Sequence, residues 1–142
     1  MSSLRFPDVN VWLAILAEHH EHRESARKWW ESELADSILF VRLTHLSVLR
    51  LLTTSAAMDG KPLTMAEAWA AYDRLYGDSR VGFLHEPTTV ESRFRSLSSD
   101  PQASPKLWAD IWLLACAQEA GGRIVTFDRA LAARSGEAIL LS

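Results

Sequence analysis

The sequence predicts an α/β fold, a three-layer α/β/α sandwich built around a mostly parallel central sheet of four or five strands. Two observations indicate this fold. Short, apolar, β-branched segments alternate along the chain with longer segments of helical periodicity. In addition, the stretch 104–129 contains a helix, a turn and a strand in the order that a parallel sheet requires. The 142 residues suffice for one domain with a sizeable core, so 1–142 is interpreted as a single domain.

The first segments predict a strand at 4–7, a helix at 9–16, a second helix at 22–34 and a strand at 37–41. Pro7 cannot donate a hydrogen bond to a strand neighbour, which places it at a strand end. Asp8 therefore lies at a corner between a strand and a helix.

Trp29 and Trp30 are adjacent on the second predicted helix, where neighbouring side chains point about 100° apart. They cannot both face one narrow core stripe. Either both are partly buried at a helix crossing, or they form a docking surface for a partner protein, since tryptophan often anchors interfaces.

The middle of the chain alternates in the same way. Thr64 with Glu67, and Thr88 with Glu91, match the capping-box pattern that starts a helix. We expect helices at 44–53, 65–76 and 89–97, strands at 80–84 and 138–141, and a loop at 58–62.

Residues 104–127 are predicted to form a capped helix followed directly by a strand. Ser104 followed by Pro105 is a typical helix start, and Gly121-Gly122 is a typical helix end. Residues 123–127 then read as a covered strand.

The lengths of this helix and strand bring two acids together. From Asp110 to Ala120 the helix rises about 15 Å, and from Arg123 to Asp128 the returning strand covers about 16 Å. Asp110 and Asp128 should therefore meet at the carboxyl edge of the sheet, where open α/β sheets bind their ligands. If strand 4–7 is parallel to strand 123–127, Asp8 joins them.

Converging carboxylates with no basic neighbour repel one another, and a divalent cation relieves the repulsion. Mg²⁺ and Mn²⁺ prefer oxygen ligands and can promote phosphodiester hydrolysis. The simpler alternative is that Asp8 and Asp128 only cap helices. It fits Asp110 less well, because an acid within the apolar run LWADIWLL needs a partner to offset its desolvation.

Other site classes find less support in the sequence. His19, His20 and His22 lack a further group at zinc-ligand spacing, and no G-x-S-x-G, Walker or G-x-G-x-x-G motif is present. The net charge of −3 does not indicate a cationic nucleic-acid binder. Cys116 is the only cysteine, and we see no signal peptide or membrane span, so a cytoplasmic location is expected.

Four segments together carry a resemblance: PDVNVWLAIL, LTHLSVLRLLT, PLTMAEAWAAYDRL and WADIWLLACAQEAGGRIVTFDR. They resemble a PIN-domain ribonuclease toxin of the VapC type over nearly the whole chain. The resemblance implies a single PIN-like domain, a Mg²⁺ or Mn²⁺ site and endoribonuclease activity. It also implies a bacterial type II toxin–antitoxin system, with a cognate antitoxin and an RNA substrate as partners and a homodimeric assembly.

The resemblance also implies roles for particular residues. Asp8 and Asp110 correspond to metal ligands, and Asp128 to a third acid that acts directly or through water. Asn10 and Thr126 correspond to neighbours that orient these carboxylates, a common arrangement around metal ligands.

One position departs from the family pattern. Val48 stands where family members usually carry a glutamate. The alternative function is therefore a PIN-fold protein that binds RNA or a partner with weak or no nuclease activity.

Aspartyl-phosphate chemistry at Asp8 is disfavoured, because none of the three lysines follows a strand.

Overall fold

The computed structural model describes residues 3–142. The strands are β1 (Leu4–Pro7), β2 (Ser37–Phe40), β3 (Val81–Phe83), β4 (Arg123–Thr126) and β5 (Ile139–Leu140). The helices are α1 (Val9–Leu16), α2 (Arg23–Ser32), α3 (Arg42–Leu52), α4 (Met65–Leu75), α5 (Val90–Leu97), α6 (Trp108–Ala120) and α7 (Arg129–Ser135). The strands form one sheet in the order β3-β2-β1-β4-β5, and every pairing is parallel. The predicted α/β class is confirmed.

The strand order reverses between β1 and β4. After β1 the chain moves to β2 and β3, then returns through α5 and α6 to place β4 on the other side of β1. β1 and β4 pair with Arg5 opposite Arg123 and Pro7 opposite Val125. The residues that follow these strands therefore meet at a topological switch point, the preferred ligand position in such sheets.

Two apolar clusters cover the two faces of the sheet. One cluster draws on α1 to α4 and includes Trp12, whose ring stacks on Phe40 at a centroid distance of 3.9 Å. The other draws on α5, α6 and α7. Ile124 belongs to the second cluster and Val125 to the first, as expected for consecutive strand residues that point to opposite faces. The three-layer arrangement follows.

The turn from α6 to β4 forms as the sequence predicts. Gly121 adopts a left-handed φ of 75°, and the Gly122 N–H donates to the Ala117 carbonyl oxygen at 2.7 Å. A Cβ on Gly122 would lie 2.7 Å from Cε1 of Phe6, so only glycine fits where this turn crosses β1.

Two predicted helix starts are wrong in the same way. α6 begins at Trp108 rather than after Ser104, and the Thr88–Glu91 capping box does not form ahead of α5. In each case a turn precedes the helix: the Leu107 N–H donates to Ser104 and the Val90 N–H donates to Pro87. Because these turns close between residues three apart, α-helical winding starts later. The Thr64–Glu67 capping box of α4 is present.

The two adjacent tryptophans are part of the fold. Trp29 is buried, and Trp30 packs edge-on against Trp12 at 6.0 Å and lies beneath the Arg80 guanidinium. These contacts favour the first interpretation, in which both residues are partly buried at a helix crossing. Within residues 3–142, no helix is long and apolar enough to cross a membrane.

Candidate active site

Asp8 follows β1 directly and is the N-cap of α1. Its Oδ1 accepts a hydrogen bond from the Val11 N–H at 3.0 Å, and its own N–H donates to the Val125 carbonyl oxygen at 3.0 Å. The side chain is therefore fixed by both α1 and β4. Capping and a role at the sheet edge coexist in this residue, which is 8% exposed.

Thr126 joins the two strand ends at the switch point. Its fully buried hydroxyl donates to Oδ2 of Asp8 and accepts the N–H of Asp128 at 2.9 Å. One side chain thus sets the position of both acidic segments, the arrangement expected of a residue that orients carboxylates.

Asp128 is the N-cap of α7, in agreement with the capping role considered for it in the sequence. Its Oδ1 accepts the N–H groups of Ala130 at 2.8 Å and Leu131 at 3.1 Å. The residue is exposed, and no residue in 3–142 donates a hydrogen bond to its Oδ2. One carboxylate oxygen is therefore available at the carboxyl edge.

Asp110 lies in the first turn of α6 and is half-buried. In the described part of the chain, no hydrogen bond reaches its carboxylate. Burial raises its pKa above the ordinary value, and the negative charge of Asp128 raises it further. A partly desolvated acid without a hydrogen-bond donor would be stabilised by a cationic partner.

The three acids affect one another electrostatically. Burial is the main cause that raises the pKa of Asp8 to about 6, and the charges of Asp110 and Asp128 add to it. The hydrogen bonds from Thr126 and Val11 act in the opposite direction. No basic side chain contributes to the pKa of either Asp8 or Asp110. The predicted convergence of the acids agrees with this coupling.

The donor set fits a hard divalent cation. Among residues 3–142, no three His, Cys, Asp or Glu side chains stand at metal-ligand spacing, and Oδ1 of Asp128 accepts the N–H of Ala130. Mg²⁺ needs only one or two carboxylates, because it retains several water molecules. Asp8 and Asp110 meet that requirement as oxygen ligands without a competing cation.

Asn10 does not contact the acids through a hydrogen bond. It is exposed on α1, and its Oδ1 lies 2.8 Å from Nε2 of His20. The His22 N–H donates to Nδ1 of His20 at 3.0 Å, so the His20 proton is on Nε2 and is donated to Asn10. The orienting role expected of Asn10 thus has no direct contact to support it.

Val48 is completely buried among apolar residues of α1, α3 and α4. Aromatic rings also pack between α3 and α4. The His45 ring of α3 lies 4.2 Å from the Tyr72 ring and 5.2 Å from the Trp69 ring of α4. On a helix, Ser47 points about 100° away from Val48, on the side opposite His45. Val48 is therefore a core residue.

A cluster of rings beside the acids was not predicted. His22 stacks on Phe127, the residue between Thr126 and Asp128, with centroids 4.4 Å apart and planes at 18°. The His19–His22 run is the signal for this cluster in the sequence, where its spacing bears only on a zinc site.

Comparison with known proteins identifies the family. A family model described as PIN domain matches residues 5–137. The chain belongs to the PIN-domain family. Ribonuclease VapC41 of Mycobacterium tuberculosis is 36% identical over 134 residues, which cover 91% of this chain and 92% of that protein. Ribonuclease VapC44 of the same organism is 30% identical over 132 residues, covering 88% and 86% respectively.

Solved structures of PIN-domain proteins share the fold. VapC20 of Mycobacterium tuberculosis, described as a sarcin-ricin loop cleaving toxin, superposes with a TM-score of 0.67 at 17% identity, covering 91% of this chain and 93% of that one. FitAcB from Neisseria gonorrhoeae gives a TM-score of 0.66 at 15% identity, covering 96% of both chains. VapBC-1 from nontypeable Haemophilus influenzae gives 0.64 at 11% identity, again covering 96% of both.

Proposed function

We propose that this PIN-domain protein is a Mg²⁺- or Mn²⁺-dependent endoribonuclease, the toxin of a bacterial type II toxin–antitoxin system that acts in the cytoplasm. The observation that supports it most directly is the electrostatic coupling of Asp8 and Asp110 with Asp128 at the switch point, where no basic side chain among residues 3–142 affects the pKa of Asp8 or Asp110. Its similarity to curated VapC ribonucleases over about nine-tenths of the chain supports the activity.

The acidic side chains and Thr126 would have different roles at the site. Asp8 and Asp110 would hold the cation, which would supply an activated water and neutralise charge on the phosphodiester. Thr126 keeps Asp8 aligned through its hydroxyl and anchors the segment of Asp128. Oδ2 of Asp128 lies at the carboxyl edge of the sheet. There it can accept a proton from a water molecule, or bind the cation through a bridging water molecule.

An exposed apolar groove supports an antitoxin as the protein partner. Leu46 of α3 is 54% exposed, while Met65 and Trp69 of α4 are 74% and 47% exposed. Together with Leu49 they line a groove of about 430 Å³ between the two helices. Apolar groups of this size at a surface are typical of an interaction site. The proposed assembly is a homodimer bound to its cognate antitoxin.

RNA cleavage by the purified protein tests the proposal. Cleavage should require Mg²⁺ or Mn²⁺, stop with a chelator, and be lost in Asp8→Asn and Asp110→Asn. Asp73→Asn, which removes an exposed carboxylate from α4, is the matched control and should cleave normally. RNA binding without metal-dependent cleavage would instead favour the non-catalytic alternative raised by Val48.

A further inference from the structure

The His22–Phe127 stack adjoins the acidic edge directly. The imidazole lies nearly parallel to the phenyl ring at 4.4 Å, and Phe127 is flanked by Thr126 and Asp128. A change in the position of this stack would therefore move the segment that carries Asp128.

A second contact ties the same loop to the segment that carries Asp8. His20 donates from Nε2 to Asn10, which lies two residues beyond Asp8, and accepts the His22 N–H on Nδ1. The loop between α1 and α2 is thus attached to both acidic segments. His22 is held in place by its backbone as well as by its ring.

The side chain of His22 is only partly covered. Phe127 stacks on one face of the imidazole, while 38% of the His22 side chain remains exposed. The His20 ring lies 5.8 Å away and is tilted by 43°, so it does not stack in parallel on the imidazole. The only charged group paired with His22 in the described chain is Glu21, at 3.5 Å on the solvent side.

We propose that the face of His22 turned away from Phe127 is a platform on which an unpaired base of the RNA substrate stacks. The inference rests on the proposed function and adds a substrate-binding residue to it. Single-stranded RNA is commonly recognised by unstacked bases that pack on aromatic or histidine rings. A base stacked here would lie close to Phe127, the residue that precedes Asp128. Stacking also tolerates different bases.

Four variants separate stacking from other roles. His22→Ala removes the platform, while His22→Leu keeps apolar cover on Phe127 without a flat ring. His22→Phe keeps a flat ring without a titratable nitrogen. His19→Ala is the matched control, because His19 is an exposed neighbour that contacts the Ala57 carbonyl oxygen outside the stack. Thermal melts verify that each variant is folded.

Cleavage kinetics with a single-stranded RNA of mixed sequence give the first readout. We expect KM to rise by about 5- to 150-fold in His22→Ala and His22→Leu, the range for losing one base–ring stack. His22→Phe and His19→Ala should remain near the unmodified protein, and kcat should change less than KM. Equal KM values in all variants would overturn the proposal. A His22→Phe variant as defective as His22→Ala would also overturn it, because the imidazole itself would then be required.

Binding in a cleavage-deficient background gives the second readout. In Asp110→Asn protein, a labelled single-stranded RNA should lose affinity on His22→Ala, and an RNA whose central nucleotides lack bases should show no such loss. The same loss with the base-free RNA would overturn stacking. If RNA binding depends on His22 but the protein with Asp110 intact does not cleave RNA, the platform would be supported and the nuclease function refuted. No RNA binding by the unmodified protein would overturn both.

Discussion

Asp8→Asn should stabilise the metal-free protein at neutral pH. The pKa of Asp8 rises from 3.8 to about 6 on folding, mainly because the carboxyl is buried. A difference of about two pKa units corresponds to about 3 kcal/mol of differential stability between the protonation states. The ionised carboxylate therefore opposes folding, and asparagine removes that cost.

The direction with pH follows from proton binding. Between pH 3.8 and about 6 the folded protein holds the Asp8 proton and the unfolded chain does not. This contribution to stability is therefore present below that window and is lost as pH rises through it. The stability of Asp8→Asn relative to the unmodified protein should increase by up to about 3 kcal/mol from acid to neutral pH.

Urea unfolding in the presence of a chelator measures this difference at about pH 4 and about pH 7. Asp59→Asn controls for the loss of one carboxylate, because Asp59 is exposed on a loop and its φ of 52° is well tolerated by asparagine. A relative stability of Asp8→Asn that stays constant, or that falls as pH rises, would refute the assigned cause.

Three further changes probe the surroundings of the site. Thr126→Val removes the hydroxyl that links Asp8 to Asp128 and should cost about 1–3 kcal/mol and weaken Mn²⁺ binding; unchanged urea unfolding would contradict the link. Val48→Glu should cost about 3 kcal/mol or more, since it buries a charge without a partner, and Mn²⁺ should not restore its melting temperature; a melting temperature that Mn²⁺ restores would instead place Val48 beside the acids. Trp29→Ala should lower the free energy of unfolding measured in urea by about 3–5 kcal/mol, and an unchanged value would contradict the burial of Trp29.

The convergence of the acids could be predicted because it depends on regular geometry. Helical rise, strand rise and the left-handed Gly121 turn determine that Asp110 and Asp128 reach one edge, whatever the side chains around them. Parallel pairing of β1 with β4 then adds Asp8. Such features follow from local sequence and topology.

Contacts between distant loops could not be predicted in this way. Nothing in the sequence near Asn10 indicates that His20 would donate a hydrogen bond to the side-chain oxygen of Asn10. Nor does the sequence indicate that His22 would stack on Phe127. These contacts depend on how the loop after α1 folds back over the sheet edge. The two misplaced helix starts had a local cause, since the turns at Ser104 and Pro87 carry the same residues as helix caps.

Direct measurement of Mn²⁺ binding tests the central claim, that the acids at the switch point hold a divalent cation. Titration at neutral pH should show binding to the unmodified protein and a loss of at least about tenfold in affinity for Asp110→Asn, with Asp73→Asn unchanged. Affinity should also fall as pH drops below about 6, where protons compete for Asp8. Equal Mn²⁺ affinity in the unmodified protein and Asp110→Asn would mean that Asp110 does not bind the cation.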